Sequence, residues 1–122
     1  MPDAGDIILR WAQHNQTQDI QSLWESREFL DVTLVSDDDD QLEAHKLVLS
    51  AASPFFRKIL QRNPHSHPLL YLRGATKKDI QALLLFIYSG ETKVMQEELE
   101  SFMTLANNLQ IKGLVYDMSE DD

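Results

Sequence analysis

The sequence predicts a small α+β domain, a short mixed sheet wrapped in helices around one core. Apolar and polar residues alternate across residues 30–36 and again across 41–45, the period of half-buried strands. Across 80–87 and 99–109 the apolar spacing changes to three and four, the period of helices packed on one side. The 122 residues suffice for one core and not for two, and 43% hydrophobic with 25% charged residues is the composition of a folded chain.

Taken in order, residues 6–11 (Asp-Ile-Ile-Leu-Arg-Trp) favour a strand, yet the following residues read as helix rather than as a hairpin partner. That strand needs an edge from elsewhere. Over 17–27, Ile20, Leu23 and Trp24 fall at i, i+3 and i+4, a narrow apolar stripe on an otherwise polar helix. Residues 30–36 put Val32 and Leu34 on one strand face and Asp31 and Thr33 on the other. Four aspartates at 37–40 turn the chain, and Leu42 and Ala44 resume the alternation, so the pair reads as a hairpin with an acidic, exposed loop. A short helix follows from Lys46.

Ser53-Pro54 is a helix start, because a serine hydroxyl accepts a free backbone N–H and proline at the first helical position loses nothing by lacking one. This helix carries Phe55, Phe56, Ile59 and Leu60 and stops in loop 63–68, which holds two prolines. Leu69-Leu70-Tyr71-Leu72, a continuous apolar run, is expected inside the sheet and buried on both faces. Thr76-Lys77-Lys78-Asp79 resembles a capping box opening a helix with Ile80, Leu83, Leu84 and Ile87 at helical spacing, and Gly90 supplies its stop. Residues 91–94 read as a short strand. Glu97, Glu98 and Glu100 suit the positive end of a further helix, whose core face is Leu99, Phe102, Met103, Ala106 and Leu109. A last helical turn is expected over 111–116. Residues 1–116 then form the domain, and 117–122 read as an acidic tail that starts a linker.

Charge and motifs narrow the function. With 11 basic against 20 acidic residues and a net charge of −9, this segment repels a phosphate backbone, so no direct nucleic-acid binding is expected. The sequence has no cysteine, which removes disulfides, thiolate zinc sites and cysteine nucleophiles together. Neither a signal peptide nor a membrane span is expected, since the longest apolar run, 82–88, is far short of the ~18 residues a spanning helix needs. An intracellular protein fits these features. The aspartate run lacks the glycine and glutamate of a calcium loop, its sixth and twelfth positions being Leu42 and Val48. His45, between a strand and a helix, reads as a packed histidine with a backbone hydrogen bond, and His65 and His67 sit in a loop without acids, so no metal or cofactor is expected. No phosphate-binding glycine loop, nucleophile elbow or metalloprotease helix is present, and catalysis is not expected.

Three segments, met in this order, resemble the BTB/POZ family: Phe29-Leu30-Asp31-Val32-Thr33-Leu34; Ala44-His45-Lys46-Leu47-Val48-Leu49-Ser50-Ala51-Ala52-Ser53-Pro54-Phe55-Phe56; and Leu84-Leu85-Phe86-Ile87-Tyr88-Ser89-Gly90-Glu91. Leu9-Arg10-Trp11 and loop 63–68 are similar to the Tramtrack-type branch of arthropod transcription and chromatin regulators, although the paired asparagines of that branch are Ala12-Gln13 here.

The resemblance implies a BTB/POZ fold with a swapped N-terminal strand in a homodimer. Ile7, Ile8, Leu9 and Trp11 would cross to the partner's late strand, Glu91, Thr92, Lys93 and Val94, while the helices carrying Ile20, Leu23 and Trp24 pack together. An unpaired edge inviting a second chain leads to the same requirement. The resemblance also implies a groove charge pair of Asp31 and Lys46, against a turn-anchoring hydrogen bond with an exposed lysine. Its implied partners are the chain itself, related BTB domains and co-regulators, in the nucleus. The alternative is a substrate adaptor of a cullin-RING ubiquitin ligase, but loop 63–68 has no glutamate for the hydrophobic-x-Glu motif such adaptors often carry. Zinc-bridged channel tetramerisation domains need cysteines that this chain lacks.

Overall fold

A computed structural model describes residues 5, 7, 9 and 16–114. Helix α1 (Gln16–Glu25) leads into a hairpin of β1 (Val32–Val35) and β2 (Gln41–Ala44), followed by α2 (Lys46–Ala52), α3 (Pro54–Arg62), β3 (Leu69–Tyr71) and α4 (Lys77–Ser89). A 3-10 turn at Gln96–Glu98 runs directly into α5 (Leu99–Asn108). This is the mixed helix-and-sheet class the sequence predicts.

β1 is the middle strand, antiparallel to β2 and parallel to β3. The aspartate turn closes the hairpin as expected. Ser36 and Asp40 exchange main-chain and side-chain bonds, with the Asp40 N–H donating to Ser36 Oγ at 3.0 Å, and Asp39 takes the left-handed backbone (φ 68°) that aspartate tolerates. Val32, Leu34 and Ala44 are fully buried on the core face. Thr33, on the other face, is buried too, because loop 63–68 folds over it, with His67 Nε2 2.8 Å from Thr33 Oγ1.

α4 is the central pillar. It packs against α1, α2, α5 and β2, and Ile80, Leu83, Leu84 and Tyr88 are its buried face. Its start and stop are those read from the sequence, with Thr76 accepting the Asp79 N–H at 3.2 Å and Gly90 closing the helix at φ 92°. Ser53 accepts the Phe56 N–H at 3.0 Å and donates to the Leu109 carbonyl, so one hydroxyl caps α3 and fastens the end of α5. Phe102, Leu105, Ala106 and Leu109 complete the core from that side.

Three expectations need correction. Residues 69–72 do not lie inside the sheet: β3 is an edge strand, and only Leu70 and Leu72 turn inward while Leu69 and Tyr71 are exposed. A run of apolar residues does not report its own faces, and here Tyr71 satisfies its hydroxyl on Asp37 while its ring stays in solvent. Residues 91–94 form no ladder with any described strand and run as an irregular segment. Residues 111–114 are a turn rather than helix, with the Lys112 N–H donating to the Ala52 carbonyl at 2.9 Å, and 115–116 lie outside the described residues.

Candidate self-association surface

The residues expected to meet a second chain come from α1, from the N-terminal segment and from 91–94. Their placement begins with Trp24. Its indole stacks on Tyr88 with ring centroids 4.6 Å apart and planes 6° from parallel, and its Nε1–H donates to the Glu43 carbonyl at 3.3 Å. These contacts lock the end of α1 onto α4 and β2.

Beneath the stack lies a closed polar circuit. His45 Nε2 lies 2.7 Å from the Glu28 carbonyl, which can only accept, so that nitrogen carries the ring proton. Nδ1 is then an acceptor for the Tyr88 hydroxyl at 2.6 Å, and the hydroxyl oxygen accepts the His45 N–H at 2.9 Å. Every polar atom of this buried pair is engaged, as the packed-histidine reading requires. Burial pushes the Tyr88 phenol up to about 12, with the His45 amide opposing and the Asp31 charge adding to the rise.

The stripe on α1 is graded. Trp24 packs against the core, Leu23 is half-buried, and Ile20 stands more than a third exposed. Trp24 also lines a groove of 330 Å³ together with Gln81, Ala82 and Leu85 of α4 and Thr92 and Lys93 of the late segment. The fold thus brings α1 and 91–94 to one place. Val94 packs inward, Glu91 and Lys93 are exposed, and the Thr92 hydroxyl is buried with no hydrogen-bond partner among the described residues. Ile7 and Leu9 are 84% and 90% exposed and belong to no described strand. Ile8 and Trp11 lie outside the described residues.

Asp31 and Lys46 are brought together, but not as an ion pair. Asp31 Oδ1 accepts the backbone N–H of Lys46 at 2.7 Å, fixing the start of α2, while Lys46 Nζ donates to the His65 carbonyl at 2.8 Å. Within one chain the turn-anchoring bond is what forms, because the carboxylate reaches the amide that α2 leaves unpaired at its first turn.

The BTB/POZ domain family matches residues 20–121 of the sequence. The chain belongs to the BTB/POZ family. Tramtrack, alpha isoform, of Drosophila melanogaster is 41% identical over 110 residues, a stretch covering 88% of this chain and 13% of that protein. The Broad-complex core protein isoforms 1/2/3/4/5 of the same organism are 37% identical over 123 residues, 99% of this chain and 17% of that protein. Longitudinals lacking protein-like, also from Drosophila melanogaster, is 40% identical over 110 residues, 88% of this chain and 86% of that protein. This BTB/POZ chain therefore spans a small part of the first two relatives and most of the third. The BTB domain of zebrafish PATZ1 superposes with a TM-score of 0.75 at 22% identity, covering 88% of this chain and 89% of that one, which shows the fold. The Tramtrack-type resemblance is matched by relatives that include Tramtrack itself.

A BTB/POZ domain is a protein–protein interaction module, and that directs attention to surface the sequence reading missed. Leu85 lines the groove from a position off the α4 core face. Phe29, in a left-handed backbone (φ 62°), and Leu47, on the first turn of α2, are both exposed beside the bonds from Glu28 and Asp31 to the His45–Lys46 pair. Each lies in a segment that resembles the family, yet as a large apolar residue it fits no periodic face.

Proposed function

We propose that this BTB/POZ domain is the self-association module of a nuclear transcription or chromatin regulator. Its N-terminal segment, residues 6–11, crosses to a second copy as an added strand and pairs with the partner's residues 91–94, while the α1 helices pack together. The observation that carries the reading is the exposure of Ile7 and Leu9, at 84% and 90%, in a segment of strand-forming composition. The buried Thr92 hydroxyl, without a hydrogen-bond partner among the described residues, supports it from the other side, since a neighbouring strand would bring main-chain donors and acceptors to that edge. In the same assembly Asp31 and Lys46 would contribute charge to a separate groove between the paired helices, where co-regulators or related BTB domains would bind. Any contacts with DNA lie outside this acidic domain, and linking several copies raises their avidity.

Light-scattering mass of the intact chain and of a chain lacking residues 1–11, both at micromolar concentration, tests the proposal. The intact chain is expected at twice its 14.1 kDa or more and the shortened one at a lower mass. A monomeric intact chain would overturn it.

A further inference from the structure

We propose that the open edge of β3 takes an extended, lysine- or arginine-rich segment of another protein as an added strand. It uses none of the residues assigned to self-association and stands apart from that reading.

In a parallel ladder a strand bonds to one neighbour through alternate residues. The Pro68 carbonyl accepts the Thr33 N–H at 3.0 Å and the Leu72 N–H donates to the Val35 carbonyl at 2.9 Å, so the intervening Leu69 and Tyr71 turn their main-chain groups away from β1. No described strand lies on that side. The side chains of Leu69 and Tyr71 share the outer face and are 60% and 55% exposed. Edges of this kind are commonly blunted by lysine on the strand, whereas here the exposed pair is apolar and aromatic. An added strand presents every second side chain to one face, so one apolar row would lie over Leu69 and Tyr71.

Charge selects the occupant. The Tyr71 hydroxyl donates to Asp37, which brings the 37–40 turn to the end of β3. Asp38 accepts the Lys77 N–H at 3.1 Å, and no described residue forms an ion pair with any of the four aspartates. They stand exposed on a chain of net charge −9. A cationic segment gains from that field and an acidic one is repelled. Because β3 has only three residues, few main-chain bonds form and charge supplies much of the affinity, which therefore falls with added salt.

Anisotropy of a short fluorescein-labelled peptide alternating lysine with valine, titrated with the intact chain, tests this. Peptides alternating glutamate with valine, and lysine with glycine, are the controls. The lysine–valine peptide is expected to bind, to weaken about tenfold in the triple variant Asp37→Asn, Asp39→Asn, Asp40→Asn, and to weaken as much in Leu69→Lys. Its binding should slow amide exchange at Leu69 and Tyr71. Leu69 is mostly exposed, so Leu69→Lys is expected to keep the melting temperature and the oligomeric mass, which separates this outcome from failure of self-association. Equal binding by either control peptide, protection at other amides, or no binding would overturn the proposal.

Discussion

Tyr88 shows how much of this surface depends on one hydroxyl. The ring is 1% exposed, carries Trp24 on its face, and completes the hydrogen bonding of His45. Its phenol is pushed up to about 12 in the folded chain, against about 10 when unfolded. Below about pH 10 both states hold the proton and the contribution to stability is complete. Between about 10 and 12 the unfolded chain releases its proton while the folded chain keeps it, so stability falls as pH rises, by on the order of 2 kcal/mol once partial screening of the charge is allowed for. Urea unfolding on either side of pH 10 measures the loss. Tyr88→Phe should cost about 2 kcal/mol at neutral pH, by leaving the His45 N–H and ring nitrogen unpaired, and should remove that share of the alkaline decline. An unchanged alkaline slope in the variant would place the effect elsewhere.

At the scale of elements, Gly90 decides the direction in which residues 91–94 leave α4. Its φ of 92° belongs to the left-handed region, and a Cβ built there meets nothing within 4 Å. Gly90→Ala should therefore destabilise through the backbone alone, by about 1 kcal/mol, and Gly90→Asn by less, both readable as shifts in urea midpoint. This helix stop was legible in the sequence, as were the serine cap of α3, the threonine cap of α4 and the acidic hairpin turn, because each is fixed by residues adjacent in the chain. The errors fall where the environment is set by distant residues. Leu69 and Tyr71 look like core until β3 is known to be an edge, and 91–94 has strand composition but no neighbouring strand among the described residues. The candidate surface was half legible: Trp24 and Thr92 were placed by pattern and resemblance and do share a groove. Leu85, Phe29 and Leu47 were not, since each stands among other apolar residues and sequence alone does not show which of them face outward.

For the whole molecule, self-association and folding share one free energy if the N-terminal segment and the α1 stripe are covered only by a second copy. Any partner that binds the folded state alone stabilises it in proportion to the logarithm of its concentration. The intact chain should then melt higher as it is concentrated, by a few degrees for each tenfold increase, since each such increase favours a dimer by about 1.4 kcal/mol. A chain lacking residues 1–11 loses Ile7 and Leu9 but keeps the Trp24–Tyr88 stack and the α4 pillar, so it should still fold, with a melting temperature that responds less to concentration. Differential scanning calorimetry of both chains across a hundredfold range separates the contributions of strand and helix. Equal slopes would assign the association to α1 alone, and two flat lines would mean that the exposed segment gains nothing from another copy.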